Sequence, residues 1–343
     1  MRVIDKAWLL GWPELWCVMM VVQLPSRAMS WESSPAFSAS TFTDWGTVRQ
    51  FEELLSVLSL PEYQEEEHGW WQNDSLQDVR KWLDLLAETW RAAHHAGTTL
   101  TIDETMIFWT GLGVQLTCLP CKPTPLGVML KTICDASSRI LLGWEFSEGK
   151  EVDSLKHWYQ DLGAGTSCTL RLKLRWHGTG RVVIGDSWFG SLKCCAALLG
   201  MGFFSVLKVK TAHFGFPKQL CLGELKSRND SVWYKLELEV NGTKSKVFAG
   251  GHMDRAPLVL VASCSTSLYG GTKRRYRSRL VGREQERVVH TLEQPKMHAL
   301  YRNNFNAVDV MNRLSQGPGV SVQRMEHIQC APPAVRCEPV RLV

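Results

Sequence analysis

Val182, Val183 and Ile184 form a β-branched apolar run that stops on the carboxylate of Asp186, and Ser187 and Ser191 ahead of Leu192 mark the entry to a helix. Two readings of Asp186 stand side by side: an N-cap of the following helix, or a ligand presented by the end of a rigid strand. The segment 98–103 alternates through Thr99, Leu100, Thr101 and Ile102 and ends in Asp103 and Glu104, a second strand that terminates in acid. Runs at 128–134 and 140–146 read as further strands, Asp153 caps a helix running to Leu162, and 203–209 is a strand after the helix at 192–199. Three strands, helix, strand, helix, strand is an α/β order rather than a bundle or a sandwich.

Upstream, Val48, Phe51, Leu54, Leu55 and Leu58 recur at helical spacing over 47–60, ahead of Pro61. Leu76, Val79, Trp82, Leu83, Leu86 and Trp90 make one face of a second helix, capped by Asp74 or Ser75 and stopped by Gly97. Both read as packing helices. The stretch 26–40, rich in Ser, Pro and Ala, reads as a linker. Before it, 7–24 is apolar and follows Arg2 and Lys6, as in a signal peptide. Pro13 and Glu14 interrupt that run, and a membrane span needs about 20 largely uninterrupted apolar residues. Downstream, 232–240 alternates, Asn241-Gly242 is a hairpin turn, 244–249 returns, and 259–263 adds a strand.

The chain has 343 residues, 45% of them hydrophobic, enough for a substantial core. A net charge of +5 permits nucleic acid as a partner without requiring it. Eleven cysteines in no framework favour a reducing compartment. Cys118 and Cys121 have zinc-like spacing, but no second pair matches them, and His327, Cys330 and Cys337 are loosely spaced, so no zinc is expected. Lys273, Arg274, Arg275, Arg277 and Arg279, with Arg283 and Arg287 beyond, concentrate the positive charge. They read as a solvated loop, as contacts to DNA phosphates with Tyr276 offering a stacking face, or as an aid to nuclear import.

If the two acid-ending strands lie side by side and parallel, their carboxylates stand about 4.8 Å apart, close enough to share metal ions. Hard oxygen ligands suit Mg²⁺, and two-metal phosphoryl transfer uses ions roughly 3.5–4 Å apart. Such a site needs a further acid, which spacing alone does not supply.

Three blocks carry a family resemblance. Leu100-Thr-Ile-Asp-Glu-Thr-Met-Ile-Phe108, followed by Pro120, Lys122-Pro123, Gly127-Val-Met-Leu-Lys131 and Asp135, resembles the first catalytic block of piggyBac-type transposases and the domesticated proteins derived from them. Asp186-Ser-Trp-Phe-Gly-Ser191 resembles the second, and Asn303-Asn-Phe-Asn-Ala-Val-Asp-Val-Met-Asn312 the third. The resemblance implies an α/β fold, a ribonuclease H-like mixed sheet flanked by helices with a β-rich inserted subdomain. It implies Asp103, Asp186 and Asp309 as the catalytic and metal-binding acids, holding Mg²⁺ (or Mn²⁺) for DNA cleavage and strand transfer at TTAA ends. A nuclear location and a homodimer follow from it, with neither a membrane nor a small-molecule substrate. On this basis 1–44 is an unmatched segment and linker, 45–97 helical, 98–210 the catalytic core, 211–300 the inserted β-rich and basic subdomain, 301–315 the third-acid helix and 316–343 an irregular tail.

The chain departs from the family pattern at Gly111-Leu112, where a Gly-Arg pair is usual, at Ala307 in place of Gly, and at Asn312 in place of a further acid. The family's long amino-terminal region, Trp-rich closing helices and Cys-rich zinc-binding end are not recognised, as expected of a fragment or splice form shortened at both ends. These departures leave a second expectation open: a domesticated, catalytically inactive protein that binds DNA or chromatin.

Overall fold

The computed structural model describes residues 6–22, 24, 26–32, 40–57, 76–109, 116–120, 122, 124–210, 215–264, 270–281 and 284–315. The chain divides into two compact units, 1–72 with 312–343, and 73–311.

In the first unit the apolar amino-terminal run becomes α1 (Lys6–Val21), followed by a 3-10 turn (Ala28–Trp31), α2 (Ser40–Trp45) and α3 (Val48–Val57). Its core is aromatic. Phe51 has no exposed surface, and the rings of Trp12, Trp16, Trp31 and Trp45 lie within 6.0 Å of it, centroid to centroid. Trp8 stacks on Trp45 at 4.5 Å, and each indole N–H donates to the other residue's carbonyl, at 3.0 and 2.8 Å. Trp8, Trp12 and Trp16 of this signal-like apolar run thus pack against α2 and α3. Among the described residues no helix is long and apolar enough to cross a membrane.

The second unit opens with α4 (Gln77–Ala93), one residue after Leu76, which makes no side-chain cap; the expected caps Asp74 and Ser75 lie outside the described residues. Next come β1 (Thr99–Phe108), β2 (Thr117–Cys118), β3 (Leu126–Asp135) and β4 (Leu141–Phe146), then α5 (Lys150–Leu155), α6 (Tyr159–Leu162) and α7 (Ala164–Lys173). The single helix expected from Asp153 to Leu162 is two short ones, broken where Trp158 adopts a left-handed φ of 64°. After these follow β5 (Val182–Gly185), α8 (Leu192–Gly200), β6 (Phe204–Lys208), α9 (Lys218–Glu224), β7 (Ser231–Val240), β8 (Thr243–Met253) and β9 (Pro257–Ala262). The last elements are β10 (Thr272–Val281), β11 (Glu284–Glu293), α10 (Lys296–Asn304) and α11 (Ala307–Ser315). Asn241 and Gly242 make the β7–β8 turn with φ of 50° and 72°, the positive values a tight hairpin needs.

Nine strands form one mixed sheet in the order β2-β3-β1-β5-β6-β9-β8-β7, with β4 also on β3. β1, β5 and β6 are parallel, and the other pairings are antiparallel. The strands expected to build a separate insertion therefore divide: β7, β8 and β9 prolong the core sheet through β6, while β10 and β11 make a two-stranded sheet of their own.

Period-two alternation gives this sheet two buried faces. Val183, Leu207 and Val261 pack with Cys168 and Leu170 of α7, Cys194 and Leu198 of α8, and Cys221 of α9. Their neighbours Ile184, Val206 and Leu260 pack on the other face with Met297 and Tyr301 of α10, while Ala307, Val308 and Met311 of α11 pack with Cys134 of β3. Gly250 of β8 lets α10 come close, since a Cβ there would stand 2.4 Å from Met297 Sδ. Thr101 Oγ1 donates to Asn304 O at 3.0 Å and fixes the end of α10 over β1.

Candidate active site

The parallel register of β1 and β5 runs from Thr99 opposite Val182 to Ile102 opposite Gly185, so the next step sets Asp103 beside Asp186. Adjacent strands are about 4.8 Å apart. Asp103 is not the end of its strand, as expected, but its middle: Thr105, Ile107 and Phe108 favour extended backbone, and with Met106 they continue the pairing with β3. Asp103 shares a face with Thr101, hence the side covered by α10 and α11.

The helix-cap reading of Asp186 is set aside by the hydrogen bonds. Ser191 caps α8, its Oγ accepting from Cys194 N at 3.0 Å. Asp186 Oδ1 instead accepts from Trp188 N at 2.8 Å in a tight turn that leaves the carboxylate half-buried. Gly190 permits this turn, since a Cβ there would collide with Lys208 O at 1.8 Å. Asp103 Oδ1 accepts from Glu104 N at 2.7 Å.

Burial pushes the Asp103 carboxyl up to about 6; the Glu104 N–H opposes this, the charge of Asp186 adds to it, Lys122 draws it down and Asp309 raises it further. Tyr301 is raised too, by burial and then by the charges of Asp186 and Asp103. All three acids named by the resemblance thus act on one locality, with Asp309 exposed on the first turn of α11. The strand pair fits a hard divalent cation, because its donors are carboxylate oxygens and a cation would relieve the repulsion that raises Asp103. The full set does not: among the described residues no group of three or more His, Cys, Asp and Glu is spaced to hold a metal. The expected three-acid metal site is therefore a close pair with the third acid reaching it through its field.

Behind the pair, on the opposite face of the sheet, lies a residue that the local pattern did not single out. Lys131 of β3, opposite Glu104 in register, donates to Glu104 Oε1 at 2.6 Å, and its Nζ lies 3.7 Å from the centroid of the Trp188 ring. Asp135, another residue of the first block, is structural. Burial alone would raise its carboxyl, but the hydroxyls and N–H groups of Ser138 and Ser137 hold it at about 2.

The cations Lys273, Arg274, Arg275, Arg277 and Arg279 all lie on β10, where a loop was one expectation; pairing with β11 makes them part of a ribbon. Arg274, Tyr276 and Arg287 are exposed, and the Arg287 guanidinium lies 4.2 Å from the Tyr276 ring centroid. Gly111, Leu112, Cys121, His327, Cys330 and Cys337 fall outside the described residues.

A family model described as Transposase IS4 matches residues 15–329. The chain belongs to this transposase family. Among solved structures, the cryo-EM structure of the piggyBac transposase synaptic complex with hairpin DNA superposes with a TM-score of 0.69 at 16% identity, over 92% of this chain and 60% of that one. The chain thus spans 60% of the length of the transposase it matches, and shares its ribonuclease H-like fold. The Mos1 transposase paired-end complex with left transposon end gives a TM-score of only 0.18, at 12% identity over 56% of each chain. No curated protein matches the sequence. Transposases of the DDE class to which the family model belongs generally use divalent metals.

Proposed function

We propose that this transposase-family chain cleaves DNA and transfers strands through Asp103 and Asp186, with Asp309 as the third acid. The observation that carries the reading is the parallel β1–β5 register, which sets two half-buried carboxylates side by side. When bound, Mg²⁺ or Mn²⁺ supplies an activated water or 3′-hydroxyl and neutralises charge building on the phosphate. Asp103 and Asp186 are the residues that hold it. Their Oδ1 atoms are already oriented by the N–H groups of Glu104 and Trp188, which costs the site little reorganisation on loading. Lys122, close enough to lower Asp103, adds positive charge where a phosphate approaches.

DNA as substrate is supported by family membership and by the β10–β11 ribbon, because a two-stranded ribbon fits a major groove about 12 Å wide. TTAA ends, a homodimer and a nuclear location belong to the same reading and rest on the motif resemblance. Replacing Lys273, Arg274, Arg275 and Arg277 with Ala weakens DNA binding and flattens its salt dependence; a slope unchanged by the four substitutions counts against phosphate contact.

Two observations favour a second reading, a DNA-binding protein without chemistry: among the described residues the acids do not form a three-ligand set, and Asn312 stands where a further acid is usual. Strand cleavage of DNA carrying matched terminal repeats, with and without Mg²⁺, separates the two. Binding with no cleavage selects the second.

A further inference from the structure

We propose that Lys131 is a positioning residue that sets the relative placement of Asp103 and Asp186 from the opposite face of the sheet. The proposal rests on the reading of those two acids as cation ligands. Lys131 has 4% of its surface exposed; besides Met129 Sδ on its own strand, at 3.7 Å, its ammonium meets Glu104 Oε1 at 2.6 Å and the Trp188 ring at 3.7 Å from its centroid. Each of these residues gives its backbone N–H to one of the carboxylates: Glu104 N to Asp103 Oδ1 at 2.7 Å, and Trp188 N to Asp186 Oδ1 at 2.8 Å. A single buried cation on β3 therefore joins the middle of β1 to the turn after β5.

Asp103 sits on β1 and Asp186 in the turn after β5, and that turn is irregular backbone whose dihedrals the sheet does not dictate. Anchoring the Trp188 ring fixes the turn, and anchoring Glu104 fixes the peptide that orients Asp103. Phe189, whose ring stands 4.7 Å from that of Trp188 and is buried in the main core, seats the aromatic end of this strut. An ion pair serving stability alone would need only Glu104. The contact to Trp188 is what directs Lys131 toward the site.

Mn²⁺ binding to the full chain, measured by titration calorimetry, tests the proposal. The unmodified chain binds in a manner that Asp186→Asn abolishes, and Lys131→Met weakens affinity by about tenfold, as loss of a group supporting metal ligands does. Lys131→Met with Glu104→Gln removes the unpaired carboxylate, so melting temperature recovers while affinity stays low. Should Lys131→Met not fold, Glu104→Gln alone, at a side chain with a fifth of its surface exposed (20%), still shows the loss of affinity. Unchanged affinity in the folded variants, or affinity that returns together with melting temperature in the double variant, overturns positioning and leaves the acid pair intact. Absence of Asp186-dependent Mn²⁺ binding in the unmodified chain overturns the acid pair as a cation site and the positioning role with it.

Discussion

Lys173 ends α7 with no exposed surface, and its Nζ has no hydrogen-bond partner. Burial pushes its ammonium down to about 7, against slight opposing effects of Cys194 and Cys168. Because the folded value lies below the unfolded 10.5, the unfolded chain holds the extra proton between the two, and stability rises with pH across that interval. At about 1.4 kcal/mol per pH unit, keeping Lys173 buried costs on the order of 4 kcal/mol at neutral pH. Lys173→Met keeps the aliphatic volume and removes the charge. Urea unfolding at pH 7.0 should show it more stable by at least about 2 kcal/mol. Between pH 7.0 and 8.5 the unmodified chain should gain about 1–2 kcal/mol that the variant does not. The window stops short of 9.0, where the unfolded thiols ionise; burial holds Cys194 at about 12 in the folded chain, so stability falls again above that pH. A Lys173→Met chain less stable at pH 7.0, or one with the same pH slope, refutes the assignment of an unpaired buried amine.

Asp103, raised to about 6 from 3.8, keeps a proton in the folded chain that the unfolded chain has lost, so stability drops as pH climbs from about 4 to 6. Asp103→Asn should therefore stabilise the protein at pH 7.5 by about 1–3 kcal/mol in thermal or urea unfolding, the cost of holding a buried carboxylate. Glu145→Gln, which breaks the paired bonds from Arg171 Nε and Nη2 at 2.8 and 2.7 Å, should destabilise by about 1–3 kcal/mol. Equal urea midpoints for the Glu145 variant and the unmodified chain would show that this ion pair is solvated.

Asp103 and Asp186 were legible as candidates because two strand-forming runs each meet an acid, while their adjacency was only a condition until the β1–β5 register supplied it. The continuation of β1 to Phe108 was missed because Asp103 and Glu104 read as a stop, whereas pairing with β3 holds them inside the ladder. Lys131 entered only as one residue of the first block: its meaning comes from standing opposite Glu104 and under Trp188, 27 and 57 residues away. The attachment of β9 to β6, Val206 opposite Ala262, is equally non-local, and it joins the β-rich segment to the core sheet. α7 was masked by its glycine-rich entry, and the cationic run of β10 was ambiguous until β11 paired with it. The apolar run 7–24 read as signal-like because its partners, Trp45 and Phe51, lie more than twenty residues further on.

The most direct test of the account is Mg²⁺-dependent cleavage of an oligonucleotide duplex carrying matched transposon ends, run in parallel on the unmodified chain and on Asp103→Asn and Asp186→Asn. The account predicts strand breaks that require the metal and disappear in both variants, while DNA binding persists in all three. Cleavage surviving either substitution, or binding without any cleavage by the unmodified chain, contradicts it.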